Sequence, residues 1–176
     1  MRILIAEDEI DTAIQYKLVL EERGHTVILT TNGEECIRLY KEGLKIYSQN
    51  PSNNKNSNPN YNNIDLTPFD AVILDYRMPK GNGMNVAKEI LKLNTKQRII
   101  FVSAYVKESL LDSIKQLRHL VELVQKPFDL DMLINMVEDE RSYMRLQELN
   151  EYLKELDEFE LTQEQIQELL KSLELH

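Results

Sequence analysis

The sequence has a single cysteine, only short apolar runs and no basic region, and each shortage excludes a class of protein. Cys36 has no partner for a disulfide within the chain, which favours a reducing cytoplasm. The longest apolar runs, such as residues 71–74, are far too short to cross a bilayer. Glu7 and Asp8 come too early for a signal peptide. We therefore expect a cytoplasmic protein without membrane contact.

The net charge of −9 lies mostly at the carboxyl-terminal end of the chain. Residues 138–176 contain twelve acidic and four basic side chains, which gives −8 there and leaves −1 for residues 1–137. Neither part has the basic stripe that binding to DNA or RNA requires. We expect no direct nucleic-acid partner.

Short runs rich in β-forming residues alternate with helical patterns. The predicted strands are residues 2–6, 26–30, 70–75, 99–103 and 120–125. The predicted helices are residues 10–23, 33–45, 84–93, 108–117 and 130 onward. Ile14 and Leu18 lie at helical spacing in the first helix, and Ile37, Tyr40 and Leu44 point inward from the second. This alternation predicts an α/β fold, with a parallel sheet covered by helices on both faces.

Two segments depart from the alternation, an internal one and the carboxyl-terminal one. Residues 48–67 are crowded with asparagine and contain Pro51 and Pro59, so we interpret them as a loop insertion. It precedes the third strand and therefore lies at the end of the sheet opposite the expected site.

The chain stays helical after Val137 in our prediction and forms an acidic extension over residues 144–176. An apolar stripe at 3-4-3 spacing consists of Leu146, Leu149, Leu153 and Leu156. A capping box at Thr162 and Gln165 begins a last helix, whose apolar face consists of Ile166, Leu169, Leu170 and Leu173. We expect either a helical hairpin or a dimerisation element, because two isolated short helices seldom bury enough apolar surface alone.

Polar residues stand where four of the predicted strands end. Glu7 and Asp8 follow the first strand, Asp75 ends the third, Ser103 ends the fourth and Lys126 follows the fifth. The carboxyl ends of parallel strands meet at one edge of the sheet, so these side chains should share a small volume. Three carboxylates this close repel one another, and all-oxygen ligands suit Mg²⁺ before Ca²⁺. A lone acid at a strand end is usually a helix cap, but the set in register predicts a metal and phosphoryl site.

Four segments carry a resemblance to a known family. They are I-L-I-A-E-D-E at residues 3–9, V-I-L-D-Y-R-M-P-K-G-N-G at 72–83, F-V-S-A-Y at 101–105 and V-Q-K-P-F at 124–128. Together they resemble the receiver domains of two-component response regulators, chemotaxis regulators among them. The resemblance spans residues 1–143 apart from the insertion. It implies a flavodoxin-like, doubly wound sheet of five parallel strands in the order 2-1-3-4-5.

The resemblance also implies a metal site. Glu7 and Asp8 match the acidic pair that binds Mg²⁺ in receivers, with Glu7 in place of the commoner aspartate. Asp75 and the backbone carbonyl of Arg77 match the further ligands.

By the same resemblance, Asp75 is the phosphoacceptor, Ser103 the switch hydroxyl and Lys126 the lysine that contacts the phosphoryl group. Arg77 and Tyr105 match the two positions that flank the path of the hydrolytic water. Both are large, so we predict a lid that slows loss of the phosphoryl group.

Two further positions carry expectations. The Lys126–Pro127 bond is predicted to be cis, by family resemblance. Leu123 stands where receivers usually have an aromatic ring that moves with the switch hydroxyl, which puts the coupling from phosphorylation to output in question.

Our first hypothesis is therefore a signalling switch, not an enzyme in the usual sense. A sensor histidine kinase donates a phosphoryl group to Asp75, and the chain signals by contact with an unknown output protein or by homodimerisation. A phosphatase of the haloacid-dehalogenase type is the rival from the enzyme class, but it wants an aspartate where Arg77 stands. A third reading is a receiver-like interaction module that works without phosphorylation, with the extension as its working part.

Overall fold

Parallel strands form the centre of the fold. The computed structural model describes residues 1–49, 67–79, 82–104, 117 and 119–155. The strands are β1 Arg2–Ala6, β2 Thr26–Thr30, β3 Ala71–Asp75, β4 Ile99–Ser103 and β5 Glu122–Gln125. The described helices are α1 Ile10–Glu22, α2 Gly33–Gln49, α3 Gly83–Leu93, α4 Leu130–Glu138 and α5 Glu140–Glu155.

All neighbouring strands pair in parallel, in the order β2-β1-β3-β4-β5. Ala6 at the end of β1 lies opposite Thr30 of β2 and Leu74 of β3, and Ser103 of β4 lies opposite Gln125 of β5. This register brings the carboxyl ends of the strands to one rim. The predicted α/β class and strand order are confirmed.

The sheet separates two apolar layers, because side chains along a strand alternate between its faces. The layer that includes α2 and α3 contains Leu4, Val72, Phe101, Tyr40 and Ile90. The layer that includes α1 and α4 contains Ile3, Ile73, Ile100, Tyr16 and Leu133. Fully burying one such aliphatic side chain stabilises the fold by about 1.5–3 kcal/mol, so these layers fix the strand ends that carry the site.

Helix α1 forms as predicted, but the apolar positions whose spacing indicated it face solvent. Ile14 is 44% exposed and Leu18 is 55% exposed, whereas the buried face consists of Ala13, Tyr16 and Leu20. Apolar residues occur on both sides of this helix, so helical spacing alone does not identify the side that meets the sheet. Gly24, with a φ of +83°, follows the helix as predicted.

The other predicted elements agree with the structure to within a few residues. Ile37, Tyr40 and Leu44 do pack inward from α2, which extends four residues beyond its predicted end, to Gln49. The predicted helix 108–117 lies outside the described residues, apart from residue 117. So do residues 50–66 of the insertion and residues 156–176 of the extension. Among the described helices, none combines the length and the apolar composition that a bilayer span requires.

The chain stays helical after Val137 as predicted, except for a break at Asp139 that divides it into two helices. Helix α4 ends at Glu138, and the Asp139 side chain accepts hydrogen bonds from the Ser142 N–H at 3.0 Å and the Ser142 hydroxyl at 2.6 Å. A carboxylate in this position caps a new helix, because it satisfies an N–H that has no partner within the helix.

Helix α5 then packs on the amino-terminal ends of β4 and β5. The Tyr143 hydroxyl donates to the Lys96 carbonyl at 2.8 Å, and the Arg98 guanidinium lies 4.7 Å from the Tyr143 ring centroid. Asn150, which is 6% exposed, accepts from the Leu120 N–H at 2.6 Å and donates to the Leu120 carbonyl at 3.1 Å. The division of the chain after residue 143 stays a prediction, and the contacts of Asn150 with Leu120 cross it.

Candidate functional site

The rim at the carboxyl ends of the strands contains an open cleft of about 320 Å³. Its lining residues come from the ends of four strands or from the loops that follow them: Glu7, Asp8, Glu9, Asp75, Arg77, Ser103, Ala104 and Lys126. The structure therefore brings together all the predicted site residues that it describes. Tyr105 lies outside the described residues.

Three carboxylates form the acidic side of the cleft. Glu7 is 1% exposed and Asp75 is 7% exposed, whereas Asp8 is open to solvent. One oxygen of each lies within 4.8 Å of the others. Two ligands on opposite sides of Mg²⁺ are about 4.2 Å apart, so the three oxygens need only small shifts to bind one ion. The donor set and its spacing fit a hard divalent cation.

Lys126 balances two of these carboxylates directly. Its ammonium lies 2.6 Å from Glu7 Oε2 and 2.9 Å from Asp75 Oδ1. The Lys126 N–H donates to the Ser103 carbonyl at 2.8 Å, which holds the start of this loop beside β4. The Lys126–Pro127 bond is cis, as predicted.

The pKa values of this group follow from burial and charge. Burial alone would lower the pKa of Lys126, but its hydrogen bonds to Glu7 and Asp75 and their charges raise it well above its usual value. Burial raises the pKa of Glu7; the charge of Asp75 adds to this effect, and Lys126 opposes it. Lys126 is thus held as a cation against the two carboxylates.

The backbone around Asp75 orients its carboxylate. The Arg77 N–H donates to Asp75 Oδ2 at 2.6 Å, and the Tyr76 N–H donates to the Val102 carbonyl at 3.1 Å. One Asp75 oxygen is therefore held by the backbone and the other by Lys126.

Gly83 is a residue of this region that the sequence reasoning did not single out. Its N–H donates to the Tyr76 carbonyl at 3.1 Å, and a Cβ at this position would collide with the Asp75 carbonyl oxygen. The start of α3 can press against the loop after β3 only because position 83 has no side chain. The signal was present in the G-N-G segment, which had been used only as part of a family motif.

Ser103 and Leu123 complete the sequence-predicted positions. Ser103 is 2% exposed at the end of β4 and lines the cleft. Leu123 is half-buried on β5 and packs against the apolar layer that includes α2 and α3. Leu123 is thus part of the apolar core. The strand that carries it, β5, ends one residue before Lys126.

Comparisons with known proteins agree with this geometry. The family model described as the response regulator receiver domain matches residues 54–138. The chain is 29% identical over 175 residues to the probable C4-dicarboxylate response regulator DctR of Bacillus subtilis, covering 97% of this chain and 66% of that protein. It is 28% identical over 129 residues to the chemotaxis protein CheY of Thermotoga maritima, covering 72% of this chain and 86% of that protein.

A solved structure is similar in both fold and sequence. It is the response regulator protein TrrA from Thermotoga maritima in complex with Mg²⁺ and BeF, with 30% identity and a TM-score of 0.56, covering 78% of this chain and 96% of that one. The chain spans about half the length (49%) of the first curated relatives that it matches, which are transcriptional regulatory proteins DltR of Streptococcus agalactiae.

Proposed function

The chain belongs to the receiver family of two-component response regulators, a family of phosphoacceptor switches, and we propose that its own phosphoacceptor is Asp75. One observation carries the assignment. The Lys126 ammonium contacts Asp75 and Glu7 at once, inside a cleft where three carboxylates converge. Asp75 is both a member of the three carboxylates and a direct contact of Lys126.

In this proposal Asp75 attacks the phosphorus of a phosphohistidine. A P–O bond forms to the Asp75 carboxylate while the P–N bond breaks, and the leaving imidazole takes a proton from solvent. The attacking oxygen is the one that contacts Lys126, because the ammonium then lies beside the incoming phosphoryl oxygens and offsets their charge. The Arg77 N–H holds the other oxygen.

The remaining residues of the cleft have separate roles in the proposal. Glu7, Asp8, Asp75 and the Arg77 backbone carbonyl would hold Mg²⁺, which supplies positive charge to the phosphoryl oxygens when bound. The Ser103 hydroxyl would donate a hydrogen bond to the phosphoryl group. The relative TrrA, whose structure contains Mg²⁺ and BeF, supports this assignment.

The test is labelling of the whole chain by radioactive acetyl phosphate with Mg²⁺. Asp75→Asn should abolish labelling, and Asp8→Asn should weaken Mg²⁺ binding severely. Asp11→Asn is the matched control, since Asp11 is an exposed acid of α1 and should leave both unchanged. Undiminished labelling of the Asp75→Asn variant would refute the assignment.

Receiver domains have histidine kinases as partners, and the outer face of α1 is where we propose that a phosphodonor protein docks. Ile10, Ile14 and Leu18 are 61%, 44% and 55% exposed and follow one another at four-residue intervals. Ile10 lies two residues after Asp8, so a donor that brings phosphohistidine to Asp75 would pass over it. Scattered exposed apolar residues are ordinary, but a row beside the acceptor favours an interface.

The docking proposal predicts different effects on phosphorylation by a protein donor and by a small-molecule donor. Ile14→Glu should slow transfer from a sensor kinase that phosphorylates the wild-type chain, and labelling by acetyl phosphate should stay unchanged. Gln15→Glu, which adds the same charge at a neighbouring exposed position, is the control. Equal kinase transfer to the Ile14→Glu and Gln15→Glu variants would place the donor elsewhere.

For output we propose protein–protein contact, with either an unknown output protein or a second copy of the chain. Sedimentation with and without beryllofluoride distinguishes the two. A beryllofluoride-dependent dimer supports homodimerisation, and an unchanged monomer favours a different protein.

A further inference from the structure

An aromatic contact joins the acid-bearing and the lysine-bearing parts of the site. Tyr16 of α1 is 4% exposed, and its ring stacks on Phe128 with a centroid distance of 5.7 Å and an interplanar angle of 28°. Phe128 lies two residues after Lys126. Helix α1 begins two residues after Asp8. The stack therefore links the loop that ends β5 to the helix that follows the acidic pair.

We propose that Tyr16 is a positioning residue for phosphoryl transfer, which holds the Lys126 ammonium between Glu7 and Asp75 by stacking on Phe128. The inference rests on the proposed role of Lys126 in the phosphorylation of Asp75.

The loop that carries Lys126 is fixed on its two sides by different means. On the β5 side, the Lys126 N–H donates to the Ser103 carbonyl at 2.8 Å. On the α4 side, the Phe128 ring packs into the layer beneath the sheet and stacks on Tyr16, and Asp129 caps α4. The cap orders only the first turn of α4. The stack holds the loop against α1, which is a different element. The stack therefore helps to set how far Lys126 lies from the loop that carries Glu7, together with the direct contact of the two side chains.

Tyr16 also lies in the electrostatic field of the site. Burial raises the pKa of Tyr16 to about 12, and the charges of Lys126, Glu7, Asp75 and Glu9 also act on its hydroxyl. Leu20, one turn further along α1, is an apolar residue of the same buried layer at 0% exposure.

The proposal predicts which part of Tyr16 matters. Tyr16→Phe keeps the ring and should label with acetyl phosphate at the wild-type rate. Tyr16→Leu keeps an apolar side chain but loses the stack, and its labelling rate should fall by about tenfold or more, since misplacement by about 1 Å can cost roughly 100-fold. Phe128→Leu should give the same loss. The double variant should lose no more than either single one, because both remove one contact.

The experiment uses the full chain, with acetyl phosphate as donor and saturating Mg²⁺. Mg²⁺ affinity and the urea midpoint of unfolding are measured on the same samples, so that a slower labelling step can be separated from a loss of metal binding or of folded protein. Leu20→Ala is the matched control: it should destabilise the fold and still label at the wild-type rate once folded.

Three outcomes would overturn the proposal. They are wild-type labelling by Tyr16→Leu, an equal loss in Tyr16→Phe, and an equal loss in Leu20→Ala. Asp75→Asn is run in parallel. If it still labels, the proposed function fails. If it does not label while Tyr16→Leu behaves as wild type, only the positioning role fails.

Discussion

Asn150 provides the sharpest stability prediction, because its side chain joins the carboxyl-terminal extension to the sheet through two hydrogen bonds with the Leu120 backbone. Asn150→Ala removes the bonds to the Leu120 N–H and carbonyl, at 2.6 and 3.1 Å, and a 3.3 Å contact with His119 Nε2. Each hydrogen bond contributes about 0.5–1.5 kcal/mol net, so the two sum to about 2 kcal/mol. Alanine is the better helix former by about 0.6 kcal/mol. We therefore expect a net loss of about 1.5 kcal/mol.

Urea unfolding followed by circular dichroism measures this loss, and thermal unfolding should show a decrease of about 3–6 °C for a chain of this size. Asn150→Asp is a second variant. It keeps an acceptor for the Leu120 N–H but turns a second acceptor toward the Leu120 carbonyl, so it should lose at least as much as Asn150→Ala. Glu148→Ala, an exposed change on the same helix, should stay within about 0.5 kcal/mol of wild type. If Asn150→Ala matched this control, α5 would not be held on the sheet as described.

The same contacts bear on the limits of the receiver domain. We predict that removing residues 144–176 leaves a folded domain that still takes up phosphate. It should nevertheless be less stable than a chain that ends after residue 155, because it loses the buried Leu146 and Asn150. Equal stability of the two shortened chains would contradict the role of α5. If the chain that ends at residue 143 were unfolded, α5 would belong to the receiver domain and the domain boundary would lie after it.

Three further predictions concern the site and the core. If Asp75 is the phosphoacceptor as proposed, Gly83→Ala should slow its labelling by roughly 10–100-fold, since the added Cβ would displace the loop after β3. Labelling at the wild-type rate would show that the loop moves without loss. Burial raises the pKa of Cys36 to about 12, so at pH 8.5 the folded chain should react with Ellman's reagent more than about 1000-fold more slowly than the denatured chain. Rates within tenfold of each other would contradict that burial. The double variant Arg77→Ala/Tyr105→Ala should release phosphate faster than wild type if the two side chains form a lid, and equal rates would remove the lid from the account.

The sheet and the cleft were predictable for a common physical reason. β3 and β4 are buried along their whole length, so their sequences are apolar up to the last residue of each strand and were easy to recognise. Parallel strands that end in acids, a serine and a lysine necessarily place them on one rim. The proximity of Glu7, Asp8 and Asp75 could therefore be predicted once the fold was identified.

Contacts between distant helices were not predictable in this way. Residues on both sides of α1 are apolar, and only the position of the sheet shows that Tyr16, rather than Ile14, faces inward. Asn150 looks like a solvent residue in a leucine stripe, because nothing local indicates that it meets the Leu120 backbone. That contact also explains why β5 begins at Glu122 instead of 120, since the Leu120 backbone bonds to a side chain rather than to β4.

The asparagine-rich insertion leaves the end of helix α2, and the residues that follow it pack back on the same helix. Phe69 stacks on Tyr40 at 6.0 Å and Pro68 packs against Gly43, whereas the chain leaves α2 only after Gln49. The exit and the return are therefore neighbours, on the side of the sheet away from the acidic cleft. A change in the length of this stretch therefore need not move the strand ends that carry the cleft. For the same reason, it is the natural place to attach a fluorescent dye or an affinity tag when the phosphorylated and unphosphorylated chains are followed in solution.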